Sequence, residues 1–143
     1  TYITDMPAKL GDCHLVIARA GASTIAELTA AGRPAILVPL PIATDDHQTA
    51  NAREMAKAGG ARMIPQPDFS PAVLAAQIAA LAEDPEALAN AAARALSVGR
   101  PNAASDLADL VERIAGGLSP IEVGPASIVS EQPALALGAG AAA

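Results

Sequence analysis

The feature that most constrains this chain is a regular exchange of short apolar runs with helical stretches that stop at glycine. Runs at residues 14–18, 35–40 and 61–64 are short and bounded by turn residues, as suits strands buried in a parallel sheet. Between them lie helical patterns. Residues 23–31 run up to Gly32, with Pro34 two positions on, and residues 45–58 stop at Gly59 and Gly60. A glycine past the last turn, followed by a residue that cannot continue the helix, is a C-terminal stop signal. Residues 2–4 read as a further strand, and Asp5 is placed to cap a short helix through Asp12. Four strands thus alternate with three helices through short connections. Such an order implies right-handed crossovers and a sheet covered on both faces. The fold class predicted is α/β, half of a doubly wound, Rossmann-like domain.

Beyond Ile64 the pattern is wholly helical. Ser70-Pro71 offers an N-cap followed by proline at the first helical position, and Val73, Leu74, Ile78 and Leu81 recur on one face. Pro85 opens another helix toward Leu96, and Pro101-Asn102 precedes a third. In that last helix Leu107, Leu110, Val111 and Ile114 have the spacing of one buried stripe. Past residue 116 Gly, Pro, Ser and Ala dominate and no hydrophobic period survives. The expected organisation is therefore one domain over 1–116 and a disordered low-complexity tail over 117–143. The total of 143 residues suits a single domain and leaves no room for a second.

Charge and composition narrow the function classes. Nine Lys and Arg stand against fifteen Asp and Glu, a net charge of -6, so phosphate backbones are repelled on average and nucleic acid is not an expected partner. The large rings are Tyr2 and Phe69, too few for a base-stacking platform. Cys13 is alone, so an intrachain disulfide is excluded, and it reads as a small buried hydrophobe. No apolar run reaches the roughly 20 residues of a spanning helix. The chain opens at Thr1 directly in structured-looking sequence, and the expectation is that an N-terminal portion precedes it.

Two segments can carry chemistry. The first is Arg19-Ala20-Gly21-Ala22-Ser23-Thr24-Ile25-Ala26-Glu27-Leu28, where a strand gives way to a helix at the carboxyl edge of the sheet, the edge that ligands favour. Small residues at Gly21 and Ala22 allow close approach, and the free N–H groups of the first turn can hold a diphosphate. Glu27, one turn further, can accept from the two hydroxyls of a ribose. The same letters have a purely structural reading, because Thr24 with Glu27 three residues later spells a capping box.

The second segment passes through Pro39-Leu40-Pro41-Ile42-Ala43-Thr44-Asp45-Asp46-His47-Gln48 to Asn51, again from strand to loop to helix. His47 and Gln48 fall in the first helical turn, where an amide and an imidazole can read sugar hydroxyls. Ordinary helix-start decoration also fits, with Thr44 or Asp45 as cap and Asp46 favourable to the dipole. Asp45, Asp46 and His47 are not expected to bind metal, since neighbouring helical residues point in different directions and no second cluster adds ligands. His14, just before an apolar run, reads as a hydrogen-bonded structural histidine. Two histidines in these contexts assemble no Ser-His-Asp or Cys-His set.

These residues resemble the C-terminal domain of the MurG family of bacterial transferases, which add N-acetylglucosamine to lipid I. The likeness runs from Tyr2-Ile3-Thr4-Asp5-Met6 through Arg19-Ala20-Gly21-Ala22, Glu27, Ala31-Gly32-Arg33-Pro34-Ala35 and Val38-Pro39 to Asp45-Asp46-His47-Gln48, Asn51-Ala52 and Gly59-Gly60-Ala61, and includes the spacing from Met6 to Arg19. The resemblance implies the C-terminal part of a glycosyltransferase-B fold, two Rossmann-like domains around a cleft, with UDP-N-acetylglucosamine as donor and no metal or other cofactor. By position, the backbone of Ile3 would meet uracil with Tyr2 packed nearby, and Ala22, Ser23 and Thr24 would present the helix start to the diphosphate. Glu27 would bind the ribose, and His47 and Gln48 the sugar; some members carry two glutamines at those last positions. Arg19 lies at the cleft without an assigned partner.

The reaction implied is inverting transfer to a 4-hydroxyl of lipid I, yielding lipid II for peptidoglycan. In the family the glycine-rich loops and the proposed base belong to the N-terminal domain, so no catalytic residue is assigned here and the chain alone is expected to be inactive. The full enzyme implied is cytoplasmic and peripheral on the inner membrane face. A donor-binding subunit of a split transferase, or a related transferase with another UDP-sugar, fits the same residues.

Overall fold

The structure is a computed structural model that describes residues 3–42 and 46–117. Its centre is a sheet of three parallel strands, β1 (Val16–Ala18), β2 (Ala35–Leu37) and β3 (Ala61–Met63), in the order β1-β2-β3. Ile17 lies opposite Ile36, which lies opposite Arg62. Before β1 comes α1 (Met6–Asp12); α2 (Ala22–Ala30) and α3 (His47–Lys57) are the two crossovers. After β3 come a short 3-10 turn at Gln66–Asp68, α4 (Pro71–Ala82), α5 (Pro85–Ser97) and α6 (Ala103–Ala115).

The central strand explains why the sequence reads as continuous apolar runs. Ala35, Ile36 and Leu37 are all buried, because successive side chains of β2 face opposite sides and both sides are covered. Ala35 and Leu37 join Leu28 of α2, Ala52 and Met55 of α3 and Ala95 of α5 in one cluster. Ile36 joins Ile64 and Leu81 in the other, with Leu74 and Leu88 packed against them. Burying an aliphatic side chain of this size contributes about 1.5–3 kcal/mol, so the two clusters hold the sheet from both faces.

Helix ends follow the local chemistry closely. At the end of α2, Gly32 takes φ 60, its N–H donates to Thr29 and the Arg33 N–H to Leu28. That is a Schellman stop, and α3 repeats it with Gly59 at φ 88 and the Gly60 N–H on Met55. Helix starts at α1, α4 and α5 carry side-chain caps from Asp5, Ser70 and Asp84, each with proline in the first turn. Gly60 has a second duty. A β-carbon there would stand 2.7 Å from the Ala95 α-carbon, so β3 and α5 can meet only over a glycine.

Several expectations are corrected. Residues 3 and 4 form no strand, because a strand exists only with a ladder partner and the described sheet begins at β1; Ile3 is exposed, and Tyr2 lies outside the described residues. Only Leu74 and Leu81 of the α4 stripe pack inward, while Val73 and Ile78 stay exposed. Cys13 is half-buried, its thiol donating to Leu10. His14 is exposed rather than held as a structural histidine. The chain divides into compact units at Thr1–Ala103 and Ala104–Ala143. Within the second, Leu107, Val111 and Ile114 are 61%, 57% and 53% exposed and Leu110 is half-buried, so amphipathic spacing selects one face of the helix. Residues 118–143, nearly all of the expected tail, lie outside the described residues.

Candidate functional site

The strands β1, β2 and β3 end on one edge of the sheet, and the loops leaving that edge hold both segments singled out in the sequence. After β1, Arg19-Ala20-Gly21 turns the chain into α2. Gly21 is the N-cap, with φ -63 and ψ 152, and provides no side-chain hydrogen bond. Thr24 is the third residue of the helix, so the capping-box reading of Thr24 and Glu27 fails on register. The first intrahelical bond runs from the Ile25 N–H to Gly21, at 3.0 Å. The N–H groups of Ala22, Ser23 and Thr24 precede it, and Ala22 and Ser23 are exposed. With the positive end of the helix dipole behind them, these donors suit an anion. Glu27 is exposed one turn on, along the same face as Ser23 and Thr24.

Nothing in the fold itself demands glycine at position 21. Its φ is one any residue adopts, and a β-carbon there would have the Thr24 hydroxyl at 3.7 Å as its nearest neighbour, ordinary van der Waals contact. Glycine carries an entropic cost at a site where alanine would fit. The small residue leaves room for something outside the chain.

At the second helix start the N-cap residue makes no capping bond of its own. Asp46 is the N-cap of α3, in the left-handed region at φ 52, and its side chain makes no capping bond; Thr44 and Asp45, the expected caps, lie outside the described residues. His47 and Gln48 are the first two helical residues, as expected, with His47 exposed and Gln48 half-buried.

What the sequence did not supply is how the two segments are joined. The Arg19 guanidinium donates from Nη1 to the Val38 and Pro39 carbonyls, at 3.1 and 3.3 Å. In the opposite direction, Gln48 Oε1 accepts from the Ala20 N–H at 3.3 Å and the Leu40 N–H at 3.1 Å. Asn51 Nδ2 donates to the Ala20 carbonyl at 3.1 Å. Arg19 therefore has its partners, two carbonyls of the neighbouring loop. Asn51, which had no role in the sequence reading, shares the helix face of Gln48 by its spacing of three. That spacing and the place of Asn51 in the family likeness were the available signals.

The structure thus brings Ala22, Ser23, Thr24 and Glu27 onto one helix start and ties it to Gln48 through the Ala20 peptide. Ile3 takes no part in this network and is 49% exposed ahead of α1. On the carboxyl edge a cavity of about 270 Å³ is lined by Pro39, Pro41, Asp46, Thr49, Met63 and the turn 65–67. None of the sequence-predicted binding residues lines that cavity, although Asp46 and Thr49 flank His47 and Gln48. Among the described residues no three His, Cys, Asp or Glu side chains are grouped to hold a metal ion. No helix among them is long and apolar enough to cross a membrane.

A parallel α/β unit whose crossover helices start at the carboxyl edge is a Rossmann-like domain of the kind that binds ligands at that edge. The chain belongs to the family described as glycosyltransferase family 28 C-terminal domain, whose pattern matches residues 1–114. It is 58% identical over 144 residues to a protein of Erythrobacter litoralis (strain HTCC2594) named UDP-N-acetylglucosamine--N-acetylmuramyl-(pentapeptide) pyrophosphoryl-undecaprenol N-acetylglucosamine transferase, covering 99% of this chain and 36% of that protein. A protein of the same name from Novosphingobium aromaticivorans is 65% identical over 121 residues, 85% of this chain and 31% of its own length. Among solved structures, MurG of Acinetobacter baumannii superposes with a TM-score of 0.71 at 39% identity, over 78% of this chain and 32% of that one. The glycotransferase of kitacinnamycin gives 0.55 at 28% identity, over 76% and 28%. The chain spans about a third of the length of these relatives. The family resemblance and the α/β fold class read from the sequence are both borne out.

Proposed function

We propose that this chain is the donor-binding part of an inverting glycosyltransferase that moves N-acetylglucosamine from UDP-N-acetylglucosamine to lipid I. The observation that carries the reading is the start of α2: an exposed first turn with no side-chain cap, headed by a glycine the fold does not require. The names of the relatives supply the sugar and the acceptor.

In this reading the N–H groups of Ala22, Ser23 and Thr24 receive the diphosphate. As the acceptor hydroxyl attacks the anomeric carbon and the glycosidic bond to phosphate breaks, negative charge grows on the departing UDP, and fixed N–H donors with a helix dipole stabilise that charge without reorganising. Glu27 accepts from the ribose hydroxyls, Ile3 meets uracil through its backbone, and His47 and Gln48 address the sugar. The acceptor's proton goes to a base outside this chain, and so do the contacts to lipid I and to the cytoplasmic membrane face. The chain by itself is then catalytically silent, which robust transfer to lipid I by the isolated chain would refute.

Calorimetric titration of UDP-N-acetylglucosamine into the chain, with and without Glu27→Ala, tests the assignment. Losing charge-assisted hydrogen bonds to the ribose costs on the order of 1.5–3 kcal/mol, roughly ten- to hundredfold in affinity. Equal affinity sinks the ribose role. Competition by other UDP-sugars at equal strength would favour a transferase of different donor, because phosphate and ribose contacts are shared among such enzymes.

A further inference from the structure

Arg19 reaches from the first loop of the carboxyl edge to the second, Gln48 and Asn51 reach these loops from α3, and all of their described bonds go to backbone. Ala20 is fully buried and stands immediately before the N-cap Gly21, so its peptide sets the path of the chain into α2. Both polar groups of that residue are held from α3: the N–H by Gln48 Oε1 and the C=O by Asn51 Nδ2. The Gln48 oxygen also takes the Leu40 N–H, so both of its lone pairs are engaged and the amide orientation is fixed by two donors. Only the Nε2 hydrogens of Gln48 remain to meet a ligand.

From this geometry we infer that Gln48 and Asn51 are positioning residues for the diphosphate turn, in addition to any contact Gln48 makes with the sugar. The inference rests on the donor-binding reading. Gln48 joins the Ala20 and Leu40 peptides, and Asn51 closes the other side of Ala20. The pair fixes where the N–H groups of Ala22, Ser23 and Thr24 point. A nucleoside diphosphate without any sugar therefore depends on them. A residue that only read the sugar would matter for UDP-N-acetylglucosamine and not for UDP.

The test uses UDP as probe and amide hydrogen exchange as a second readout that needs no ligand. Gln48→Ala leaves the buried Ala20 N–H without a partner, and Asn51→Ala does the same to its carbonyl. Each lowers UDP affinity by roughly tenfold, the consequence expected of losing one or two backbone anchors. In Gln48→Ala the Ala20 and Leu40 amides exchange faster, while those of Ile36 and Leu37 in β2 keep their protection. Gln48→Glu retains an acceptor for both N–H groups and keeps Ala20 and Leu40 slow. Unchanged UDP affinity in a folded Gln48→Ala chain overturns the inference, as does unchanged exchange at Ala20 and Leu40. If Gln48→Ala fails to fold, Asn51→Ala decides by UDP affinity and Gln48→Glu by exchange. A wild-type chain that binds no UDP overturns the donor reading and this role with it, and exchange then shows whether the clamp exists without that purpose.

Discussion

Helices α1, α4 and α5 begin in one way and helices α2 and α3 in another. In the first group Asp5, Ser70 and Asp84 each turn an oxygen onto a backbone N–H, at 3.2, 3.3 and 2.9 Å, and proline follows in the first turn. In the second, Gly21 has no side chain to offer and Asp46 makes no capping bond. These two are the crossover helices leaving β1 and β2 on the carboxyl edge. A side-chain cap contributes about 1 kcal/mol over alanine but only a few tenths over glycine, so the glycine at the head of α2 is a small local loss of stability. The difference is positional: side-chain caps sit at the starts of α1, α4 and α5, while the N-cap residue of α2 on the carboxyl edge supplies none.

The comparison breaks first at the glycines. Gly60 and Gly21 both lack a β-carbon, but only Gly60 lacks it for packing, since the added atom would press on the Ala95 backbone at 2.7 and 2.9 Å. Gly60→Ala is therefore expected to destabilise the chain by roughly 1–3 kcal/mol, the range for overpacking, seen as a lower urea midpoint at unchanged slope. A midpoint equal to wild type would mean that β3 and α5 yield easily, and the contrast with Gly21 would lose its basis. A smaller effect sharpens the same contrast at the caps. Asp84→Ala removes the bond to the Ala87 N–H and should cost about 1 kcal/mol of stability while UDP affinity stays at the wild-type value. Weaker UDP binding in that variant would show that capped and open helices are not separable in role.

How far the sequence could be read follows the range of each interaction. The stops at Gly32 and Gly59 and the cap at Ser70 were legible because every partner lies within a few residues. The strand runs were legible because β2 is covered on both faces and shows it as Ala35-Ile36-Leu37. The candidate site residues on α2 and α3 were read from local register and family likeness together. Their linkage was not: Arg19 reaches Val38, Gln48 reaches Ala20 and Asn51 reaches Ala20 across 19, 28 and 31 positions, distances no local pattern encodes. The capping-box reading went wrong because Thr24 and Glu27 have the right spacing three residues too late in the helix.

The smallest change in stability belongs to the substitution that exchanges one kind of helix start for the other. Gly21→Asp places a capping carboxylate at the head of α2, where the backbone at φ -63 and ψ 152 already has the extended form an N-cap adopts. Its carboxylate would turn onto the open N–H groups of Ser23 or Thr24 and add a charge favourable to the dipole, for a gain of a few tenths of a kcal/mol over glycine. The same carboxylate would occupy the donors a diphosphate needs and repel its charge at short range. Stability and binding should therefore move in opposite directions: an unfolding midpoint at or slightly above wild type, with UDP binding lost. A variant that keeps its UDP affinity would show that the diphosphate does not rest on the start of α2, and the open helix would need another explanation. A variant that loses both stability and binding would show instead that glycine is required there by the fold, against the 3.7 Å of room its missing side chain leaves.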